Sequence, residues 1–545
     1  MKKIIISLLI IISIVSLYAQ NSIEPEGKTV YNFLERMSLK RIITSDEFLK
    51  PLLRKDIGKY LNTISINASA LSKVEKEELA WYLSEYTAEV FNKSNIQPEL
   101  NNSLFTNSNN RFRVFYYSDT LFNVSFAPVI KAEYKSFSGN SYLKKGWGFN
   151  LHGSIGENFG FRLDFSDNSA DKNESYINNF SAKQGEVYRY NKSGTVDFSN
   201  TNGSMVYSNN WLTIGALKEN YQLGSGERSQ LILSSKAPSF ASFFMKIKPA
   251  DWLSIYSMHG WLLSNVVDSA LSYATNFNNR IRQVEREKYV ALHAVQIKPF
   301  SNLSFSLGES IVYSDKNIYW GYFIPFLFYR SVDHMFTFGK GDSGNNGSLF
   351  FDMSHYPIKN LKYYFTLYID ELSLTNLLKG ETDRNQLGFT GGISIYEPMI
   401  ENLKINVEYT RILPWVYSNW IPAQTYTNAG YLMGHYIGQN ADQIFVQADY
   451  LLMRGLEFKL WSEYIRKGGT SDISNQYTPP GENFLYGSRR NELNIGLGAS
   501  YEIIHDAFVK AEWQYSNITD EDKTRTPEWM LGSKHSFSFG VYYGM

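Results

Sequence analysis

From about residue 120 to the end of the chain, apolar and polar side chains alternate in short runs. Leu361, Tyr363, Phe365, Leu367 and Ile369 oppose Lys362, Tyr364, Thr366, Tyr368 and Asp370. Ala507, Val509, Ala511, Trp513 and Tyr515 oppose Lys510, Glu512, Gln514 and Ser516, and Ser536–Tyr543 repeats the rhythm. Successive side chains on a strand point to opposite faces, so each run has one face for an apolar medium and one for water. Each run spans roughly 9 to 13 residues, the length a tilted strand needs to cross a bilayer. Short turns near 156–159, 249–250, 299–302, 357–360, 397–402, 453–455 and 503–506 alternate with long polar loops. The loops are expected near 167–209, 265–287, 314–346, 373–385, 413–442, 468–489 and 517–532. Outer-membrane barrels alternate short periplasmic turns with long external loops. The pattern therefore predicts an all-β transmembrane barrel of about 18 antiparallel strands over 121–545, its first strand near Leu121–Lys135. Arg111–Ser118 also reads as a strand but breaks the parity, so 101–120 is expected to be a linker.

The periodicity changes between residues 20 and 100. Val30, Phe33, Leu34 and Met37 form a helical stripe, and Ile57, Tyr60 and Leu61 a second. Ser72-Lys73-Val74-Glu75 is a capping box leading into Leu79, Tyr82, Leu83, Tyr86 and Val90. Three short helices of this size need a larger surface to lean on, which points to a small periplasmic bundle resting on the barrel. Before it, Lys2, Lys3, an apolar run from Ile4 to Leu17 and Ala19 have the order of a secretory signal peptide over 1–19.

Composition supports this picture. Aromatics are 16% of the chain while mean hydropathy is −0.30, as in barrels whose polar lumen offsets a lipid face with aromatic girdles. Fifty-three basic and 53 acidic residues balance, which argues against a nucleic-acid partner. The chain has no cysteine, HExxH pair or GxSxG elbow, so no metal, cofactor or enzymatic activity is expected.

Several blocks resemble the Wzi-type capsule-assembly proteins of Gram-negative outer membranes. They are Tyr31–Met37, Pro51–Lys55, Asn210–Gly215, Leu231–Ser235 with Ala237–Phe240, and Gly308–Tyr313. The most specific are Glu408–Tyr417 and Gly434–Asp442. The resemblance implies a barrel with a helical periplasmic plug and a role in attaching capsular polysaccharide to the cell surface.

The loop from Leu413 to Asp442 is rich in groups that bind sugars. Trp415, Tyr417, Trp420, Tyr426 and Tyr431 suit stacking on pyranose rings. Arg411, Gln424, His435, Asn440 and Asp442 suit hydroxyls or uronate carboxylates. The competing reading is that these aromatics form a girdle and pin the loop over the lumen. Arg411 shares the phase of Leu403, Ile405 and Val407, so it stands above the membrane or turns inward. Glu309, at a strand end, is either a partner for Arg411 or a solvated rim charge. The leading expectation is a monomeric, non-catalytic surface lectin in contact with outer-membrane lipid, its long loops outside and its bundle in the periplasm. The alternative is a channel passing solutes through the lumen.

Overall fold

A computed structural model describes residues 21–90, 99–101, 111–119, 121–278, 280–337, 344–380, 385–478 and 481–544. The expected signal peptide and half of the expected linker lie outside these residues. Eighteen antiparallel strands close into a barrel. They are β1 Phe122–Phe137, β2 Asn140–Ile155, β3 Phe159–Asp171, β4 Thr195–Ser208, β5 Leu212–Glu219 and β6 Phe240–Ala250. Next come β7 Leu253–Leu262, β8 Lys288–Phe300, β9 Leu303–Ser314, β10 Asn346–Ile358, β11 Leu361–Glu371 and β12 Gln386–Tyr396. The last are β13 Leu403–Ile412, β14 Ala441–Met453, β15 Leu456–Lys467, β16 Arg490–Ile504, β17 Ala507–Asp520 and β18 Gly532–Tyr543. Closure pairs β18 with β1, from Ser536↔Phe137 to Tyr543↔Ile130.

The alternation read from the sequence sets the two faces. Leu307, Val407, Ile444, Leu497 and Val541 lie exposed on the outer wall, while Asp352, Lys362, Glu408 and Glu463 are buried inside. No described helix is long and apolar enough to cross a membrane. At one end every turn is short, and Asn360, Asn402 and Asp506 take left-handed backbone there, which Asn and Asp tolerate best among non-glycine residues. The other end carries the long connections, with a two-residue exception between β1 and β2.

Two expectations need correction. Residues 195–208 are a full strand rather than part of a long loop, because Thr195–Tyr207 pair throughout with Phe159–Asp171. The long connection that follows is instead 220–239, between β5 and β6. Within the presumed linker, Phe115–Ser118 does form a strand, but it pairs with the short-turn half of β1, below the residues of β1 that meet β18. It therefore adds to the sheet without changing the parity of the ring.

Helices α1 (Thr29–Leu39), α2 (Arg54–Ile66), α3 (Lys73–Glu85) and α4 (Thr87–Val90) pack around Phe33, Met37, Ile57, Leu61 and Tyr82. The Ser72–Glu75 capping box forms as read. Three short helices lie in the long connections: α5 (Asn173–Asn179), α6 (Tyr329–Thr337) and α7 (Leu374–Lys379).

The α1–α4 bundle docks on the short-turn end through one contact after another around the ring. Asn21 donates to Ser208 O at 2.8 Å, Thr44 to Ser301 O at 3.0 Å, and Ser72 to Asn402 Oδ1 at 3.0 Å. Asn360 N donates to Leu39 O at 2.7 Å, and Lys28 pairs with Asp506 at 2.7 Å. Inside the mouth, Lys404 of β13 holds Glu35 at 2.7 Å, and Lys362 of β11 holds Glu47 at 2.7 Å.

Burial opposes the charged forms of Glu35 and Glu85. Lys404 and Lys362 overcome it for the first, and Arg111 and Arg113 for the second, holding each carboxyl at about 2. A carboxyl depressed on folding stabilises above its unfolded value, near 4.5, and that contribution disappears as pH falls towards 2. Circular-dichroism melts at falling pH are expected to show the helical signal lost first in that window, with the sheet signal persisting.

Candidate functional site

Residues 220–239 are polar at one end and apolar in the middle, and the barrel uses both properties. Leaving β5, the segment turns into the lumen, where Gln222 and Leu223 pair with Lys50 and Leu49 of the bundle region. Its polar stretch then reaches the far wall. Ser225 Oγ donates to Asp352 Oδ1 of β10 at 2.7 Å, and Glu227 N to Glu408 Oε2 of β13 at 2.7 Å. Arg228 Nε donates to Glu463 Oε2 of β15 at 2.8 Å. The guanidinium lies 4.9 Å from the Trp461 ring, 5.0 Å from Phe445 and 5.8 Å from Tyr436, so aromatic faces complete its cage. Lys404 also bonds Glu227 at 2.9 Å, tying wall, segment and bundle together. The apolar Leu231–Leu233 turns back into the largest buried cluster of the molecule.

The 413–440 connection folds down onto that cluster from the long-loop end. Tyr417 OH donates to Leu231 O at 2.6 Å, and Tyr426 OH to Ile232 O at 2.7 Å. The two rings stack at 5.6 Å, and Tyr368 of β11 packs against both. Tyr417 N donates to Asp370 Oδ2 at 2.6 Å, with the tyrosine in left-handed backbone at φ 71°. At Gly434 a side chain has no room: a Cβ would meet the Tyr417 ring at 2.4 Å. Lys236 closes the arrangement by donating to Lys183 O at 3.0 Å, and burial pushes its ammonium down to about 7.

The nine residues singled out in the sequence separate into four places. Trp415, Tyr417, Tyr426, His435 and Asn440 are buried in the lumenal packing and offer no ring face or polar group to solvent. Asn440 is spent on Leu485 N and on the carbonyls of Gly469 and Tyr486. His435 stacks on Tyr436, and burial holds it neutral, with its pKa at about 3. These five pin the loop rather than forming an open sugar platform, because hydrogen-bonding 413–440 to Leu231 and Ile232 draws it inward. Gln424 is buried with them, and Tyr431 lies half-buried against the same packing.

Trp420 stays at the surface, half exposed, its ring edge-on to Tyr477 at 5.6 Å. Arg411 and Asp442 occupy the outer rim. Arg411 keeps the outward phase of Val407 and lies 3.8 Å from the Phe484 ring. Asp442 receives a two-point bond from Arg466 at 2.9 and 2.5 Å. Glu309 pairs with neither Arg411 nor solvent. It faces outward on β9, buried, taking a bond from Tyr329 N at 2.6 Å, with His293 Nε2 at 3.1 Å.

Sequence reasoning missed the 220–239 segment. Its signal was Leu231–Leu233, an apolar run without the alternation of a strand, framed by Gly224, Gly226 and Pro238.

The matches to known proteins agree with this architecture. A family model described as capsule assembly protein Wzi matches residues 140–529. An Escherichia coli structure described as Wzi, an outer-membrane carbohydrate-binding β-barrel involved in group 1 capsule assembly, is similar at 12% identity and a TM-score of 0.58. The similarity covers 97% of this chain and 100% of that one. OccD3 of Pseudomonas aeruginosa and a doubly substituted OccD1 each align over 77% of this chain, and over 90% and 94% of their own, at 12% identity and a TM-score of 0.43. No curated protein sequence matches the chain. With its 18-strand barrel and a family match over most of its length, the chain belongs to the Wzi capsule-assembly family of Gram-negative outer-membrane proteins.

Proposed function

We propose that the protein is a non-catalytic surface lectin that holds capsular or extracellular polysaccharide. In this reading the long-loop end faces the medium and the bundle lies in the periplasm. The filled lumen is the observation that carries it. A barrel of this size leaves an aqueous channel unless something occupies it. Here the bundle, the 220–239 segment and the 413–440 connection are stacked along that path and bonded to opposite walls. Cavities of about 60 and 30 Å³ at the boundary between bundle and segment are far below the roughly 300 Å³ of a small-ligand site. The larger one, about 450 Å³, lies at the short-turn end between Thr44–Tyr60 and the turns at Ser208–Leu212 and Lys248–Trp252, away from the long loops. Polysaccharide is therefore met at the loop surface. Trp420 and Tyr477 supply aromatic faces there, and Arg411 and Arg466 supply positive charge suited to uronates. Capsule assembly, the process that defines the family, is consistent with this division of labour.

Trp420→Ala is expected to weaken retention of polysaccharide on cells, since loss of one stacked ring costs roughly 0.5–1.5 kcal/mol beyond its area. Heat-modifiable migration on gels should be unchanged. Trp415→Ala, by contrast, should impair assembly. Full retention by Trp420→Ala would move the glycan surface to the 172–194 or 263–287 connections. The orientation has its own test: tags at Gly380 or Thr470 should be reached by antibody on intact cells, and a tag at Lys359 only after the outer membrane is opened.

A further inference from the structure

The outer wall over β7–β9 breaks the rule that lipid-facing positions are apolar. Lumenal Tyr256 and Asp352 fix the phase of these strands, which turns His259, His293 and Glu309 outward. Register also gives their depth. His259 sits opposite Phe243 of β6, and Glu309 opposite Leu349 of β10, two residues along from Leu307. Phe243, Leu307 and Leu349 are exposed on the outer wall. The three ionisable side chains therefore lie at the level of the apolar band, where an uncovered charge is destabilising.

They are covered by the connection after β9, residues 315–337, which folds back down the outside of the barrel. Phe323 stacks on His259 at 4.4 Å, and His259 Nε2 lies 2.7 Å from Tyr313 OH. Glu309 meets the backbone N–H of Tyr329 at the start of α6, where the helix dipole favours an anion. Tyr322, Tyr329 and Val332 pack with Tyr289, Ile311 and Tyr313 into a core outside the barrel. A 3-10 turn at Trp320–Phe323 and helix α6 satisfy backbone groups locally, as a lipid setting demands. The opposite face of the segment is large and apolar from Trp320 to Phe328: Trp320 is 73% exposed and Phe326 69%, with Ile324 and Phe328 beside them, whereas α6 beyond this ridge exposes Arg330, Ser331 and His334.

We propose that residues 315–337 form a membrane-embedded belt whose Trp320–Phe328 ridge contacts lipid acyl chains in the leaflet at the long-loop end. The belt rests on side chains at the depth of Phe243, Leu307 and Leu349, so its exposed face meets the same medium as theirs, which is lipid. The chain has no cysteine, which makes single-site spin labelling clean. In vesicles, labels at Trp320→Cys and Phe326→Cys should resemble Leu307→Cys, accessible to oxygen and shielded from a water-soluble nickel complex. Phe277→Cys in the 263–287 hairpin should show the reverse. Water-like accessibility at 320 and 326 would overturn the proposal. So would shielding from both reagents with spin–spin broadening, which would mean a second copy covers the ridge. Should a cysteine variant fail to assemble, the unsubstituted protein decides. A phospholipid with a photoreactive acyl chain should label the tryptic peptide between Lys316 and Arg330, and an unlabelled peptide beside labelled wall peptides would overturn the belt.

Discussion

Arg228→Ala is expected to turn a nearly silent barrel into a conducting one. The arginine is the point where the 220–239 segment grips the far wall, bonded to Glu463 and enclosed by Trp461, Phe445 and Tyr436. Truncating it leaves Glu463 buried without its cation, a loss of roughly 3–5 kcal/mol for a broken buried pair. The segment should then detach while the barrel, whose strands satisfy one another, stays assembled. Arg228→Lys should behave as an intermediate, since an ammonium keeps the charge but loses the planar fork. Deleting residues 21–100 should open the pore less than deleting 221–238, because the segment crosses the lumen above the bundle. Single-channel recordings decide. Equal, negligible conductance in all variants would mean that the 413–440 connection blocks the path unaided.

Arg54→Ala is expected to melt the bundle. Arg54 bonds Glu24 at 2.6 Å and Glu89 at 2.7 Å, reaches Glu85 at 3.5 Å, and covers the Tyr86 ring at 4.2 Å. All three carboxylates are nearly shielded from water, so removal of their shared cation costs about 3–5 kcal/mol, comparable to the stability of a domain this small. Brief trypsin treatment should cut within 21–90 in the variant and spare the wild type, with heat-modifiable migration of the barrel unchanged in both. Adding Glu89→Gln should restore part of the resistance by removing one uncompensated charge. Equal resistance of variant and wild type would show that docking on the barrel mouth, rather than this ion cluster, holds the bundle.

The strands were legible because each must satisfy a lipid face and a water face at once, which writes a period of two into sequences such as Leu361–Asp370. The capping box at Ser72 was legible for a similarly local reason. The candidate site was not. Tyr417 and Tyr426 look like surface aromatics until Leu231 and Ile232 are brought beneath them, from nearly two hundred residues away. Glu309 looks like a rim charge because its cover, Tyr329, comes from a loop whose path outside the wall no local pattern encodes. Arg411 was legible in part: its phase with Val407 left it above the membrane or turned inward, and it keeps the outward phase. Residues that obey the alternation were read correctly, and those whose surroundings come from a folded-back loop were not.

The meeting of first and last strands carries one more consequence. The two do not overlap along their full length. Tyr543 reaches only Ile130, so the portion of β1 from Phe122 to Val129 extends past its neighbour with one row of backbone groups unclaimed. Such an edge is sticky, inviting addition of a foreign strand or a sideways parting of the wall. Phe115–Ser118 claims most of that row, pairing with Asn123–Phe126, while Arg111 grips Asp506 and Tyr543 OH donates to Phe112 O. Phe115–Ser118 thus doubles as a zipper stop: it ties the first and last strands of the barrel at one place and narrows any lateral gate to the bilayer.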